Sequence, residues 1–327
     1  MKYIKSFAND AAYEADKPNF EAPHVGYIED TDEVKYINDM TDLYDIYGTL
    51  TGAGVTANIL INGTIYTVTA TGEDNHFGII YSQPVNSLAI NSNKSNLKTL
   101  DKLDIDTSAM TSMYAMFLTC RSLTSIDLGN FVTSGVTNMS AMFNGCNSLT
   151  SLDVSNFNTE KVTNMGQMFS DCKTLTSLDV SHFVTSGVTN MMAMFSECYA
   201  LTSLDVSNFN TEKVTNMYQM FNYCSGLTSL DLSNFDTSAV TNMNQMFQIC
   251  RGLTSLDLSN FDTSAVTNMQ YMFNGCNALT TITMNNTNQT TFDMIKAQLV
   301  SDSVASHVTI IRDGHSYQYQ NGQWVEV

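Results

Sequence analysis

The chain has 327 residues and carries 32 acidic against 14 basic side chains, a net charge of −18. No segment is net basic, so direct binding to nucleic acid or insertion at an anionic membrane surface is not expected. No run approaches the roughly 18 apolar residues of a membrane span.

Residues 1–39 read as a leader or docking segment. Tyr3, Ile4, Phe7 and Tyr13 suggest a short amphipathic helix that Pro18 and Pro23 end. Residues 25–36 read as two short strands around an acidic turn. The N-terminus lacks the apolar core of a secretory signal, which predicts a product that stays in the cytoplasm that makes it. Tyr3, Phe7, Tyr13, Glu14, Ala15, Pro23, Glu29, Asp30, Val34 and Tyr36 resemble a leader found in virion proteins of phages infecting gut Bacteroidales, crAss-like and related. His24-Val25-Gly26 departs from the Asn-Val-Ser of that pattern, and the match covers about a tenth of the chain. The resemblance implies a virion protein that reaches the outside by cell lysis and meets other virion proteins through residues 1–39.

Residues 40–94 read as a small β domain that also caps a repeat array beginning at residue 95. Asn62-Gly63 between Ala57–Ile61 and Thr64–Thr69 is a strong hairpin signal. Two more strands are expected at Gly78–Tyr81 and Ser87–Ile90.

Residues 95–283 repeat one 26-residue unit seven times, marked by Cys120, Cys146, Cys172, Cys198, Cys224, Cys250 and Cys276. Within a unit, Leu152 and Val154 alternate with Ser151, Asp153 and Ser155 as in a strand. Val162, Met165, Met168 and Phe169 then share one face of about two helical turns, with Thr159 and Thr163 as candidate helix caps. The period predicts an α/β repeat solenoid, a leucine-rich repeat of seven coils with small mainly-β domains at both ends. The string read at Leu227–Cys250 resembles the BspA-like class of leucine-rich repeats, which occurs in surface proteins of Bacteroidetes, Lactobacillales and mycoplasmas. That resemblance implies extracellular adhesion and no chemistry. Residues 131–169 are nearly identical to 183–221, which indicates duplication of a two-unit block. Residues 284–327 are expected to cap the array with a helix at Thr290–Val300 and three short strands turning at Asp313-Gly314 and Asn321-Gly322.

Three columns are candidate sites. The cysteines lack the clustered spacing of a metal motif and read as a structural ladder of buried, reduced thiols, small apolar groups in the core. Asp101, Asp127, Asp153, Asp179, Asp205, Asp231 and Asp257 form a ladder on the strand face, where neighbouring serines hold the carboxylates or Ca²⁺ sits among them. Tyr199, Tyr218, Tyr223, Ile249, Tyr271 and Met192 belong to positions that vary between units and are the candidate partner surface. The five histidines are scattered, and neither a phosphate loop nor a nucleophile motif occurs. No cofactor, metal or enzyme activity is therefore expected. The sequence reads as a non-enzymatic virion protein, a tail, fibre or head-decoration component, whose repeats adhere to a host-surface protein or glycan. It is expected to be a homo-oligomer, since avidity offsets weak single contacts. The alternatives are a bacterial cell-surface adhesin and a purely structural virion component.

Overall fold

A computed structural model describes residues 105–327 throughout, and residues 24–103 only in their strands. The helix expected around Tyr3–Tyr13 lies outside the described residues. Strands β1 (His24–Ile28) and β2 (Glu33–Ile37) pair antiparallel. β3 (Ile46–Leu50), β6 (His76–Ile79), β8 (Leu97–Leu103) and β9 (Ser125–Ile126) form a sheet in the order β6-β3-β8-β9. β4 (Thr56–Ile61) pairs antiparallel with β5 (Thr64–Thr69), Ile61 opposite Thr64, and with β7 (Leu88–Ser92). β8 lies within the first repeat, pairs with β3 on one side and runs parallel to β9 of the second repeat on the other, so this sheet continues directly into the array.

The far end is built the same way. β10 (Ser255–Asp257) and β11 (Thr281–Thr283) are parallel, and helix α1 (Gln289–Ser301) crosses over to β12 (Thr309–Arg312), parallel to β11. β13 (His315–Gln320) and β14 (Gln323–Glu326) complete a five-stranded sheet. Both residues of each connecting turn, Asp313-Gly314 and Asn321-Gly322, have positive φ, the geometry that matches the twist of a hairpin. Asn288 caps α1 by accepting the Thr291 N–H, and Phe292, Ile295 and Leu299 bury one face.

Between these ends, the α/β leucine-rich-repeat solenoid predicted from the sequence is not what the structure shows. The class is mainly β, and among the described residues the only α-helix is α1. Residues 166–171 are a run of turns, and the reason lies in where the N–H groups of this segment go. Met168, Ser170 and Cys172 donate three residues back, to Met165, Gln167 and Phe169 carbonyls. The residues between them, Met165, Gln167, Phe169 and Asp171, donate instead to the next repeat, at Asn190, Met192, Met194 and Ser196 carbonyls. An α-helix would need every N–H to bond four residues back within the segment. Gln167 (φ 59°) and Asp171 (φ 61°) are left-handed at the third position of their turns, the type II arrangement. Nor do Leu152 and Val154 belong to a paired strand: in the repeats between β9 and β10, parallel contact runs instead through isolated bridges joining Asn138, Asn164, Asn190, Asn216, Asn242 and Asn268 in succession.

Thr159 does not cap a helix. It is buried, its hydroxyl donates to the Val184 carbonyl at 3.0 Å and accepts the Val184 N–H at 2.8 Å. Thr107, Thr133, Thr185 and Thr237 make the same two bonds to the repeat that comes after each. Inside, Phe117, Phe143, Phe169, Phe195, Phe221, Phe247 and Phe273 stack with centroids 5.5–6.1 Å apart and planes within 13°. Rings at that separation add attraction beyond the burial of their area.

The left-handed turns create a steric coupling between repeats. A β-branched residue there is a conformational outlier, and Thr119 (φ 58°) and Ile249 (φ 60°) are each succeeded one repeat later by glycine, Gly145 and Gly275. A Cβ on Gly275 would lie 2.9 Å from Ile249 Cγ1, and one on Gly145 3.2 Å from Thr119 Cγ2. Gly275→Ala should therefore destabilise the chain by about 1–2 kcal/mol, and by about half as much when Ile249→Ala is already present. Urea unfolding of the four proteins of that cycle measures it; equal losses in both backgrounds would refute the coupling.

Candidate functional site

The Ser-Leu-Asp segments of three successive repeats line a shallow groove of about 480 Å³, formed by Ser151, Leu152, Asp153, Ser177, Leu178, Asp179, Ser203, Leu204 and Asp205. Leu152, Leu178 and Leu204 form its floor and show a narrow strip to solvent, 7–8 % of each. The carboxylates stand exposed around it. Each is fixed by its own turn: Asp153, Asp179 and Asp205 accept the N–H of Ser155, Ser181 and Ser207 at 2.9–3.0 Å, and the Ser181 and Ser207 hydroxyls add bonds of 2.7 and 2.6 Å. Asp127, Asp231 and Asp257 accept in the same way from Gly129, Ser233 and Ser259, while Asp101 accepts from the Thr99 hydroxyl. The serine bonds hold Asp153, Asp179 and Asp231 below the ordinary carboxylate range, and His182 depresses the first two further. Ser151, Ser177, Ser203, Ser229 and Ser255, two residues before their aspartates, make no such bond. Among the described residues no group of three or more His, Cys, Asp or Glu converges on a metal position.

One column of variable positions proves to be left-handed, whereas Met192, Tyr199 and Tyr218 are not. Thr119, Gly145, Asp171, Glu197, Tyr223, Ile249 and Gly275 all have φ between 58° and 78°. Tyr271 (φ 59°) belongs to a second left-handed column four residues earlier in the repeat. Around the middle of the array these residues cluster. Lys173 pairs with Asp171 at 2.9 Å and Glu197 at 3.6 Å and lies over the Tyr199 ring at 5.8 Å. The Tyr199 hydroxyl donates to Glu197 at 3.0 Å, and its ring meets Tyr223 edge to face at 5.8 Å. Burial, then the Glu197 bond, pushes the Tyr199 phenol up to about 12, so it stays a neutral donor. Tyr218, Met192 and Ile249 are half-buried and Tyr271 is half exposed, standing apart from that cluster. Neither Lys173, which ties the cluster together, nor the leucine floor of the groove is marked out by the sequence pattern. Lys173 is two residues after a variable acidic position, which was the available signal.

All seven cysteines are free and fully buried. The thiols of Cys146, Cys172, Cys198, Cys224, Cys250 and Cys276 contact Phe carbonyls of the preceding repeat at 3.0–3.3 Å. Burial pushes them far above the ordinary thiol range, with Cys198 and Cys276 at about 12. A neutral buried thiol is a poor nucleophile. A thiol-specific chromogenic disulfide should thus label essentially none of them in native buffer and all seven in denaturant; rapid native labelling would contradict the packing.

No helix among the described residues is long and apolar enough to cross a membrane. The chain matches no curated protein and no solved structure. Residues 88–203 and 199–306, together well over half its length, match one family model, described as "Mycoplasma protein of unknown function, DUF285". The two matches meet inside the repeat array and extend past both its ends, and the chain belongs to the DUF285 family.

Proposed function

We propose that this chain is a non-enzymatic recognition protein that uses its repeats in the BspA-like manner, presenting variable side chains to a host-cell protein or glycan. The observation that carries the reading is the division of labour within each repeat. Main-chain bonds and threonine hydroxyls join repeat to repeat, so the side chains at the variable turn positions differ from repeat to repeat on one unchanged ladder, within the steric coupling that sets Gly145 beside Thr119 and Gly275 beside Ile249. Non-glycine residues occupy those positions at a conformational cost, and strain of this kind concentrates where a surface has work to do. Residues 1–39 would dock the chain onto a virion, with oligomerisation supplying avidity. The family's occurrence in mycoplasma proteins favours a second reading, display on a bacterial cell surface.

The test is binding of the full chain to Bacteroidales cells and to a glycan array, beside the variant Tyr218→Ser/Tyr223→Ser/Tyr271→Ser. Binding by the native chain, lost in a variant with unchanged melting temperature, supports the reading. A chain that assembles into particles yet binds no cell or glycan would leave a purely structural role.

A further inference from the structure

The leucine-floored groove is a different surface from the variable turns, and recognition through those turns leaves it without a use. Three of its properties bear on what fits there. Its floor is apolar, a strip of Leu152, Leu178 and Leu204. Its rim is anionic: His182 acts on Asp153 and Asp179 from a distance, but no ion pair among the described residues reaches Asp153, Asp179 or Asp205, nor Asp127, Asp231 and Asp257 in line with them. The main chain beneath is open, because residues 151–153, 177–179 and 203–205 make no backbone hydrogen bond to the repeat on either side.

We propose that the groove is a docking site for an extended, lysine- or arginine-bearing peptide segment of a partner protein. Lysine and arginine combine an aliphatic stem with a cationic head, which is the complement of a leucine floor inside an aspartate rim. One carboxylate oxygen of each aspartate is taken by the serine N–H of its own turn, and the other is left to a guanidinium or ammonium group. An extended segment spans the three repeats and sets successive cationic side chains against successive aspartates. A bare divalent ion fits less well, since the carboxylates succeed one another along the stack and do not converge. A second copy fits poorly as well, because a chain of net charge −18 offers few cations to an acidic face.

The experiment is fluorescence anisotropy of a labelled octa-arginine peptide with the full chain, at 50 and 300 mM salt. Asp153→Asn/Asp179→Asn/Asp205→Asn keeps an acceptor for each serine N–H and so keeps the fold, checked by melting temperature. Glu160→Gln/Glu212→Gln/Asp236→Asn removes the same charge elsewhere. The groove variant should weaken binding by about tenfold or more, and the control variant by less than about twofold. Equal losses in the two charge variants would reduce the effect to net charge and overturn the proposal. So would displacement of the peptide by millimolar Ca²⁺ with a rise in melting temperature that the groove variant abolishes. Because the tyrosine variant tests a different face, failure of either result leaves the other standing.

Discussion

Thr159→Val is expected to lower the unfolding free energy by about 2–4 kcal/mol, although it exchanges one β-branched side chain for another of the same shape. The hydroxyl it removes both donates to and accepts from the main chain of Val184 in the next repeat. Valine leaves that N–H and C=O without the partner that replaced water. Thr159→Ser keeps the hydroxyl and should cost clearly less. Urea midpoints of the three proteins decide it: a Val variant as stable as the Ser variant would mean that the hydroxyl is not what joins the repeats.

Asp302→Ala should cost about 2–3 kcal/mol and loosen the last repeat first. In the interior of the array the Phe N–H donates to a Met carbonyl one repeat on, as Phe247 does to Met272 at 3.0 Å. Phe273 has no further repeat, and its N–H is taken at 2.8 Å by the buried carboxylate of Asp302, just after α1. Thr291 from the same helix likewise meets Thr263, which lacks the repeat its hydroxyl would otherwise grip. Burial raises the Asp302 carboxyl above its ordinary range, so its ionised form is held at a cost. Asp302→Asn retains an acceptor without the buried charge and should lose clearly less than alanine. Should alanine and asparagine prove equally harmless, the helix would not be the cap that completes the array.

The repeat, its inward columns and the structure of the C-terminal end were legible in the sequence. Cysteine spacing marks the unit, and Asp313-Gly314 and Asn321-Gly322 mark the hairpins, because each feature depends on local chemistry alone. The helix expected within each repeat fails for a physical reason. Apolar residues at Val162, Met165, Met168 and Phe169 suit two helical turns, but turns closed by bonds three residues back place the same residues inward. What separates the two is the destination of alternate N–H groups, and that is fixed by the neighbouring repeat. Gly145 and Gly275 at left-handed positions were the local clue, obscured by Glu197, Tyr223 and Ile249 in the same column. The Asn column was likewise invisible as a device: Asn164, Asn190 and Asn216 each accept the N–H two residues on while their own main chains bridge from repeat to repeat. Of the candidate sites, the aspartates are evident from their repetition, whereas the groove between them exists only once three repeats stand side by side.

Amide hydrogen exchange of the intact chain tests most directly the claim that the repeats are bonded through their turns and left open along the Ser-Leu-Asp face. The N–H groups of Phe169, Phe195 and Phe221, each bonded at 3.0 Å to a Met carbonyl of the next repeat, should exchange only with global unfolding. Those of Leu178 and Leu204, without a main-chain partner, should exchange faster by at least about a hundredfold. Leucine amides as protected as the phenylalanine amides would contradict that claim, since the face offered to a partner would then be a closed strand ladder.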